Sequence, residues 1–190
     1  DYYLSSDPHM VEARGKYRTY VVALLKQARI KDPDAKASTI LALETKIAHA
    51  QESLLDSENV HKANNLWNMA DFAKKAPGLD WTAYFAAAGL ANQRRIDVWQ
   101  PGAITGLSAL VASEPLDAWK DLLTFHTINA DAPLLPSAFA DLSFDFYGKD
   151  LQGTPQQQPR WKLAVGVTNT DLGDAVGELY VRKYFPASSK

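Results

Sequence analysis

With 190 residues, 46% of them apolar and 22% charged, the chain can bury one sizeable core or two small lobes, and its composition excludes a mainly disordered polymer. A formal net charge of −2 with no long basic run excludes binding driven by a nucleic-acid backbone. Cysteine is absent, which excludes disulfides, thiolate nucleophiles and thiolate metal sites within the chain.

Asp7 followed by Pro8 predicts a helix start: a side-chain acceptor at the cap, then a ring that needs no amide partner. Met10, Ala13, Tyr17, Val21, Leu24 and Ala28 then recur at helical spacing. Lys31-Asp32-Pro33-Asp34 breaks the pattern. A second helix follows with Ala37, Ile40, Leu41, Leu43, Ile47 and Ala50 on its apolar side, giving an antiparallel helical hairpin over residues 1–56. The polar stretch Ser57 to Leu66 reads as irregular. Asn68 caps a short helix, Met69 to Lys75, that Ala76-Pro77-Gly78 ends. Asp80 caps the next, with Trp81, Tyr84 and Phe85 inward and Gly89 at its carboxyl end. Ile96-Asp97-Val98-Trp99 alternates like a strand in need of a partner.

Pro101 opens a helix with Ile104, Leu107, Leu110 and Val111 inward, and Pro115 opens another with Trp119, Leu122, Leu123 and His126 on one side. Past Pro136, Leu142, Phe144 and Phe146 alternate like a strand, but Leu135, Phe139, Leu142 and Phe146 make the longer match, to a helix. Thr154 to Pro159 is a loop. Trp161, Val165, Thr168, Leu172, Val176 and Leu179 predict one final helix of about 25 residues, roughly 38 Å long. Within it Gly166, Gly173 and Gly177 point to close backbone packing or a kink. The residues from Pro186 to Lys190 read as a polar tail. The expected fold is all-α with at most one or two very short strands, arranged as the hairpin, an irregular part over 57–100, and a helical core over 101–186.

No residue pattern supports catalysis or metal binding. His9, His49, His61 and His126 include no two spaced three or four apart, whereas a common zinc peptidase needs two imidazoles one helical turn apart with a Glu beside the first. Glu52 and Asp56 have the spacing of a third zinc ligand and its supporting carboxylate, but with no histidine pair to serve they read as the solvated end of a helix. Gly106-Leu107-Ser108-Ala109-Leu110 lacks the second glycine of a nucleophile elbow and falls inside a helix. Asp141 and Asp145 read as a solvated face, and Glu12 with Lys16 and Glu178 with Arg182 as surface ion pairs. The five tryptophans read as core at helical spacing rather than as a ligand groove. Catalytic and metal residues are therefore expected to be none, and substrate-binding residues are not assigned. The longest apolar stretches, such as Ala83 to Ala91, fall short of the roughly 20 residues of a membrane span.

A series of segments resembles the neprilysin and endothelin-converting-enzyme family of zinc metallopeptidases. They are Pro115-Leu116-Asp117-Ala118-Trp119-Lys120-Asp121, Ala132-Pro133-Leu134-Leu135, Phe144-Asp145-Phe146-Tyr147-Gly148, Pro159-Arg160-Trp161-Lys162, the run from Leu172 to Val181, and Tyr184-Phe185-Pro186. The first half agrees through Asp1-Tyr2-Tyr3-Leu4, Leu43-Glu44, Asn65 and Leu79-Asp80-Trp81. The resemblance implies the middle of the helical first region of such an enzyme, which covers a catalytic cleft and restricts substrates to peptides. It implies zinc in the intact parent and none in this chain, with the thermolysin-like catalytic part of the same polypeptide as partner. None of the family's zinc ligands, its catalytic Glu or its carboxylate-binding Arg has a counterpart here. The lack of cysteine resembles the bacterial branch, which implies an exported, periplasmic or extracytoplasmic parent. The missing initiator Met also fits a piece of a longer polypeptide.

Overall fold

The computed structural model describes residues 2–185 and Ser188; Asp1 and most of the tail expected from Pro186 onward lie outside the described residues. Among the described residues the fold is all-α apart from one short two-stranded sheet, and the chain divides into two compact units, residues 1–126 and 127–190.

In the first unit, α1 (Pro8–Gln27) starts as expected, with the Asp7 carboxylate accepting from the backbone of His9 at 2.8 Å and Met10 at 3.4 Å. It ends in a Schellman turn: Ile30 N–H donates to Leu25 C=O and Arg29 N–H to Lys26 C=O. Arg29 sits there at φ 58°, a left-handed position usually filled by glycine. Helix α2 (Pro33–Ala50) packs back on α1 and buries Ala37, Ile40, Leu43 and Glu44 against Tyr20, Val21, Leu24 and Leu25.

The stretch expected to be irregular contains two single-turn helices, α3 (Leu54–Ser57) and α4 (Val60–Ala63), and the strand β1 (Leu66–Asn68). Their cues are short-range: the Ser53 hydroxyl caps α3, and the Asn59 carboxamide caps α4. Helix α5 (Met69–Lys75) carries a reciprocal cap, with Asp71 reaching back to the Asn68 amide at 3.1 Å. After α6 (Trp81–Ala87), Gly89 at φ 72° closes a second Schellman turn. Strand β2 (Arg95–Asp97) finds its partner in β1, antiparallel, with Trp67 opposite Ile96. Trp67, Phe72, Ala76, Trp81, Phe85 and Val98 form an aromatic core under this hairpin.

Two main-chain contacts lock α7 (Pro101–Ser113) in place. The Ala76 carbonyl accepts from both the Trp81 indole at 2.6 Å and the buried Ser108 hydroxyl at 2.7 Å. A Cβ at Gly78 would sit 2.1 Å from the Ser108 carbonyl oxygen, so that turn has room only for glycine. On the other side, a Cβ at Gly106 would lie 2.7 Å from the Ala50 methyl, which sets how closely α7 approaches α2. The inward side of α7 therefore centres on Ala103 and Ser108, with Ile104, Leu107, Leu110 and Val111 only partly covered.

Helix α8 (Leu116–Asp131) is rotated from the face expected for it. Ala118, Leu122 and Phe125 are buried, whereas Leu123 and His126 are exposed. Phe125 is fully buried and stands edge-on to Tyr17 and Tyr20 at 6.0 and 6.3 Å between ring centres.

In the second unit, α9 (Ser137–Ser143) continues without a break into a π-helix, Phe144–Leu151, so the helical reading of this stretch holds, with a wider turn than expected. A Cβ at Gly148 would be 2.4 Å from the Phe144 ring, and this pairing of a large ring with glycine occupies the widened turn. The single long helix expected at the end is two, α10 (Arg160–Asp171) and α11 (Gly173–Tyr184), because Leu172 leaves helical geometry at φ −117°, ψ 27° and glycine follows it. Gly166, Gly173 and Gly177 have no heavy atom within 4 Å of the position of a Cβ, so of the two readings of these glycines only the break applies.

The rotation of α8 is testable. Phe125→Ala should lower unfolding stability by about 3–5 kcal/mol in denaturant titration. Leu123→Ala should change it by less than about 0.5 kcal/mol. The reverse ranking would return α8 to the face read from sequence.

Candidate functional site

The strongest concentration of buried polar chemistry lies where α1, α2 and α8 meet. Glu44 is only 6% exposed. Its Oε1 accepts from the Tyr17 hydroxyl at 2.8 Å and lies 2.9 Å from His126 Nε2. Its Oε2 is buried with no partner among the described residues. Burial and the neighbouring Glu44 carboxylate, in that order, push the Tyr17 hydroxyl far above its ordinary pKa, with Tyr3 adding to the effect. Lys36 and Asp121 add an ion pair at 2.5 Å between α2 and α8. One carboxylate with a phenol and an imidazole can clamp three helices. It offers no nucleophile, and Tyr17 is held in its protonated form.

The other candidates from the sequence are dispersed. His9, His49 and His61 are exposed, and no group of three metal-binding side chains occurs among the described residues. Glu52 corrects the reading of a solvated helix end: it lies beyond α2 and accepts the Gly102 amide at 2.9 Å, capping α7. Asp56 pairs with Lys62, a contact that lowers its pKa. Ser108 is a buried tether with no base beside it. Asp141 is exposed, Asp145 pairs with Lys149 at 2.5 Å, and the pairs Glu12–Lys16 and Glu178–Arg182 form on helix surfaces as expected. Among the tryptophans, Trp67 and Trp81 are core, but Trp99 and Trp161 are exposed, which the core reading did not foresee.

A second concentration is a cleft of about 480 Å³ in the first unit. Phe72, Trp81 and Phe85 from the aromatic core form its floor, and Tyr84 and Trp99 stand at its rim, 55% and 53% exposed. Tyr84, expected inward, therefore faces the cleft. The Trp99 indole N–H donates to the Ser57 carbonyl at 2.6 Å, which fixes the ring's orientation.

The segments behind the family resemblance are joints of this framework. Arg14 donates to the carbonyls of Tyr2 and Ser5, holding the first of those segments on α1. Arg160 donates to the carbonyls of Leu134 and Leu135 at 2.8 and 3.2 Å, joining two of them across the second unit. Glu44 belongs to a fourth, and Trp81 to a fifth.

The sequence model described as peptidase family M13 matches residues 1–190. The chain belongs to peptidase family M13. Neprilysin-3 of Drosophila melanogaster is 25% identical over 203 residues, which cover 100% of this chain and 26% of that protein. Endothelin-converting enzyme-like 1 of Mus musculus is 23% identical, covering 99% of this chain and 25% of that protein. The open-state structure of the Mycobacterium tuberculosis zinc metalloprotease ZMP1 superposes with a TM-score of 0.91 at 29% identity, covering 100% of this chain and 30% of that one. The chain thus spans about a quarter of the length of the curated M13 relatives it matches. That M13 relative is called a zinc metalloprotease, but the residues described here bring together no ligand set that fits zinc. No helix among them is long and apolar enough to cross a membrane.

The Glu44 clamp predicts an alkaline signature. Below pH 10 Tyr17 is neutral whether the chain is folded or unfolded; above it the unfolded chain loses the proton and the folded one does not. Stability should then fall by up to about 1.4 kcal/mol per pH unit from this group. Tyr17→Phe should lose that component, and at pH 7 should cost about 1–3 kcal/mol because a buried carboxylate loses a donor. An unchanged alkaline slope in urea titrations of the variant would remove Tyr17 from the clamp.

Proposed function

We propose that this chain is a non-catalytic, helical wall-forming part of a zinc metalloendopeptidase, packing on the catalytic part of the same polypeptide and limiting which peptides reach the metal. The observation that carries the proposal is the bare apolar surface of α10 and α11, in which no residue is buried. Trp161 and Val165 on α10, Leu172 at the break, and Val176, Leu179 and Tyr180 on α11 are all exposed, Trp161 and Leu179 most, at 64% and 61%. Contiguous apolar surface of this kind marks a face that another body covers, and the M13 relatives have about three-quarters of their length beyond the part matched here.

In this reading all 190 residues form one segment of the larger enzyme, built as a hairpin, a middle part over 57–100 and a helical core over 101–186. The segment supplies no zinc ligand and no catalytic group; the zinc is held by the part that follows. The parent handles peptides, and it is exported to the periplasm or beyond, in keeping with a chain that uses no cysteine.

The test is the reading frame past Lys190 together with an assay of the chain alone. A His-Glu-x-x-His sequence downstream, an export signal upstream and no peptide hydrolysis by the purified chain are the expected results. A stop codon directly after Lys190 would overturn the proposal in favour of a self-sufficient helical binding module. Chelator-sensitive cleavage by the chain itself would overturn it in favour of an enzyme.

A further inference from the structure

We infer that the free edge of β2 and the aromatic cleft beside it form a binding site for an extended peptide carrying a large apolar side chain, held as a third strand of the small sheet. The backbone pattern supplies the first half of the argument. Met69 N–H donates to Arg94 C=O, and Val98 N–H to Asn65 C=O, so with Trp67 opposite Ile96 the residues whose main-chain groups face β1 are Arg94, Ile96 and Val98. Arg95 and Asp97 then direct their N–H and C=O groups to the far side, where no backbone partner meets them among the described residues. The edge of β1 is different, because the Asn68 N–H is already taken by Asp71 and the chain turns at once into α5. One edge is capped and the other is open, and an open edge is a template for an added strand.

The second half is what lies beside that edge. Ile96, Val98 and Trp99 border the cleft, whose floor is the aromatic core. A strand added about 4.8 Å beyond β2 alternates its side chains between the two faces of the sheet, so every second residue points to the core side. Ile96 packs against the core on that side, and the neighbouring position on an added strand would place its side chain between Tyr84 and Trp99. Both rings are already held, Trp99 through its bond to Ser57 and Tyr84 by edge contacts with Trp81 and Phe85, so little side-chain freedom is lost on binding. Main-chain pairing supplies tolerance of sequence, and the cleft supplies preference for an aromatic or large aliphatic residue.

The choice of a peptide as ligand rests on the reading of the chain as part of a peptidase; the open edge and the cleft do not depend on it. The experiment is a titration of the ¹⁵N-labelled 190-residue chain, followed by NMR, with three blocked peptides: acetyl-Val-Phe-Val-amide, the same peptide N-methylated at its Phe and Val residues, and the same peptide with Ala in place of Phe. Saturable shifts are expected at the amides of Arg95 and Asp97 and at the indoles of Trp81 and Trp99, with binding at least tenfold weaker for both altered peptides. Arg95→Pro, which removes an outward N–H from an edge position that tolerates proline, should weaken the parent peptide by a similar factor while the remaining spectrum stays dispersed. No saturable shift at millimolar peptide, shifts elsewhere on the chain, or equal binding of the N-methylated peptide would each overturn the inference. Because none of these results bears on the reading frame past Lys190, failure here and failure of the peptidase reading are separable.

Discussion

The carboxylate of Glu44 is the constraint on which the helical part of the first unit depends. A charge this deeply buried is tolerated only when donors from its surroundings replace water. Tyr17 on α1 donates to it, and the imidazole of His126 on α8 lies 2.9 Å away. The three helices must therefore meet at one depth and one rotation. Phe125, next to His126, is carried into the core by the same rotation and reaches Tyr17 and Tyr20. The Lys36–Asp121 pair adds a second point along α2 and α8, and two points fix a crossing where one leaves a hinge. Packing of apolar side chains alone would tolerate small rotations of α8; a shared carboxylate does not.

A main-chain group has the corresponding role in the aromatic half. The Ala76 carbonyl, left over at the end of α5, receives donors from α6 and α7 together. Helix ends leave such acceptors unsatisfied, and this one is buried, so its two partners are a requirement of the fold as much as a consequence. The close approach of Gly78 to Ser108 follows, since only a residue without Cβ lets the turn come near enough. The cleft inherits its rigidity from this joint: Trp81 is both the donor to Ala76 and part of the cleft floor.

How much of this was legible in the sequence depended on whether a signal was local. Asp7-Pro8, Pro33, Asn68 and Asp80 announce helix starts through chemistry that acts within a turn, and the structure places helices there. Gly89 announced a helix end because glycine favours the left-handed position; Arg29 occupies the same position and gave no such sign, being held by the bonds of Ile30 and Arg29 to the preceding turn. Periodicity found the helix after Pro115 but not its rotation, because Leu123 and Phe125 both fit an apolar stripe and the rings of Tyr17 and Tyr20 on α1 decide between them. Glu52 read as solvated because its partner, Gly102, lies far along the chain. The Glu44 clamp was invisible for the same reason: its three members are ordinary residues until the fold brings them together. The order of family segments from Asp1 to Pro186 did what local reasoning could not, since it took in Arg160 and Glu44, whose partners lie far along the chain.

The chain leaves two kinds of apolar surface uncovered, and they differ in a way that bears on what covers them. On α10 and α11 the exposed side chains lie on helices whose backbone bonds are satisfied internally, so a partner gains only side-chain burial there. Such a surface suits a permanent neighbour of matching shape, because burial without directional bonds rewards area and close fit. At β2 the exposed rings stand beside unsatisfied main-chain groups that accept any residue able to extend. A surface that pairs backbone to backbone and reads only one side chain in two is suited to many sequences, each held briefly. On the two proposals the faces divide between assembly and recognition, the first offering side-chain burial alone and the second hydrogen bonds beside it. Of the two, only the β2 edge offers a partner main-chain hydrogen bonds as well as apolar burial.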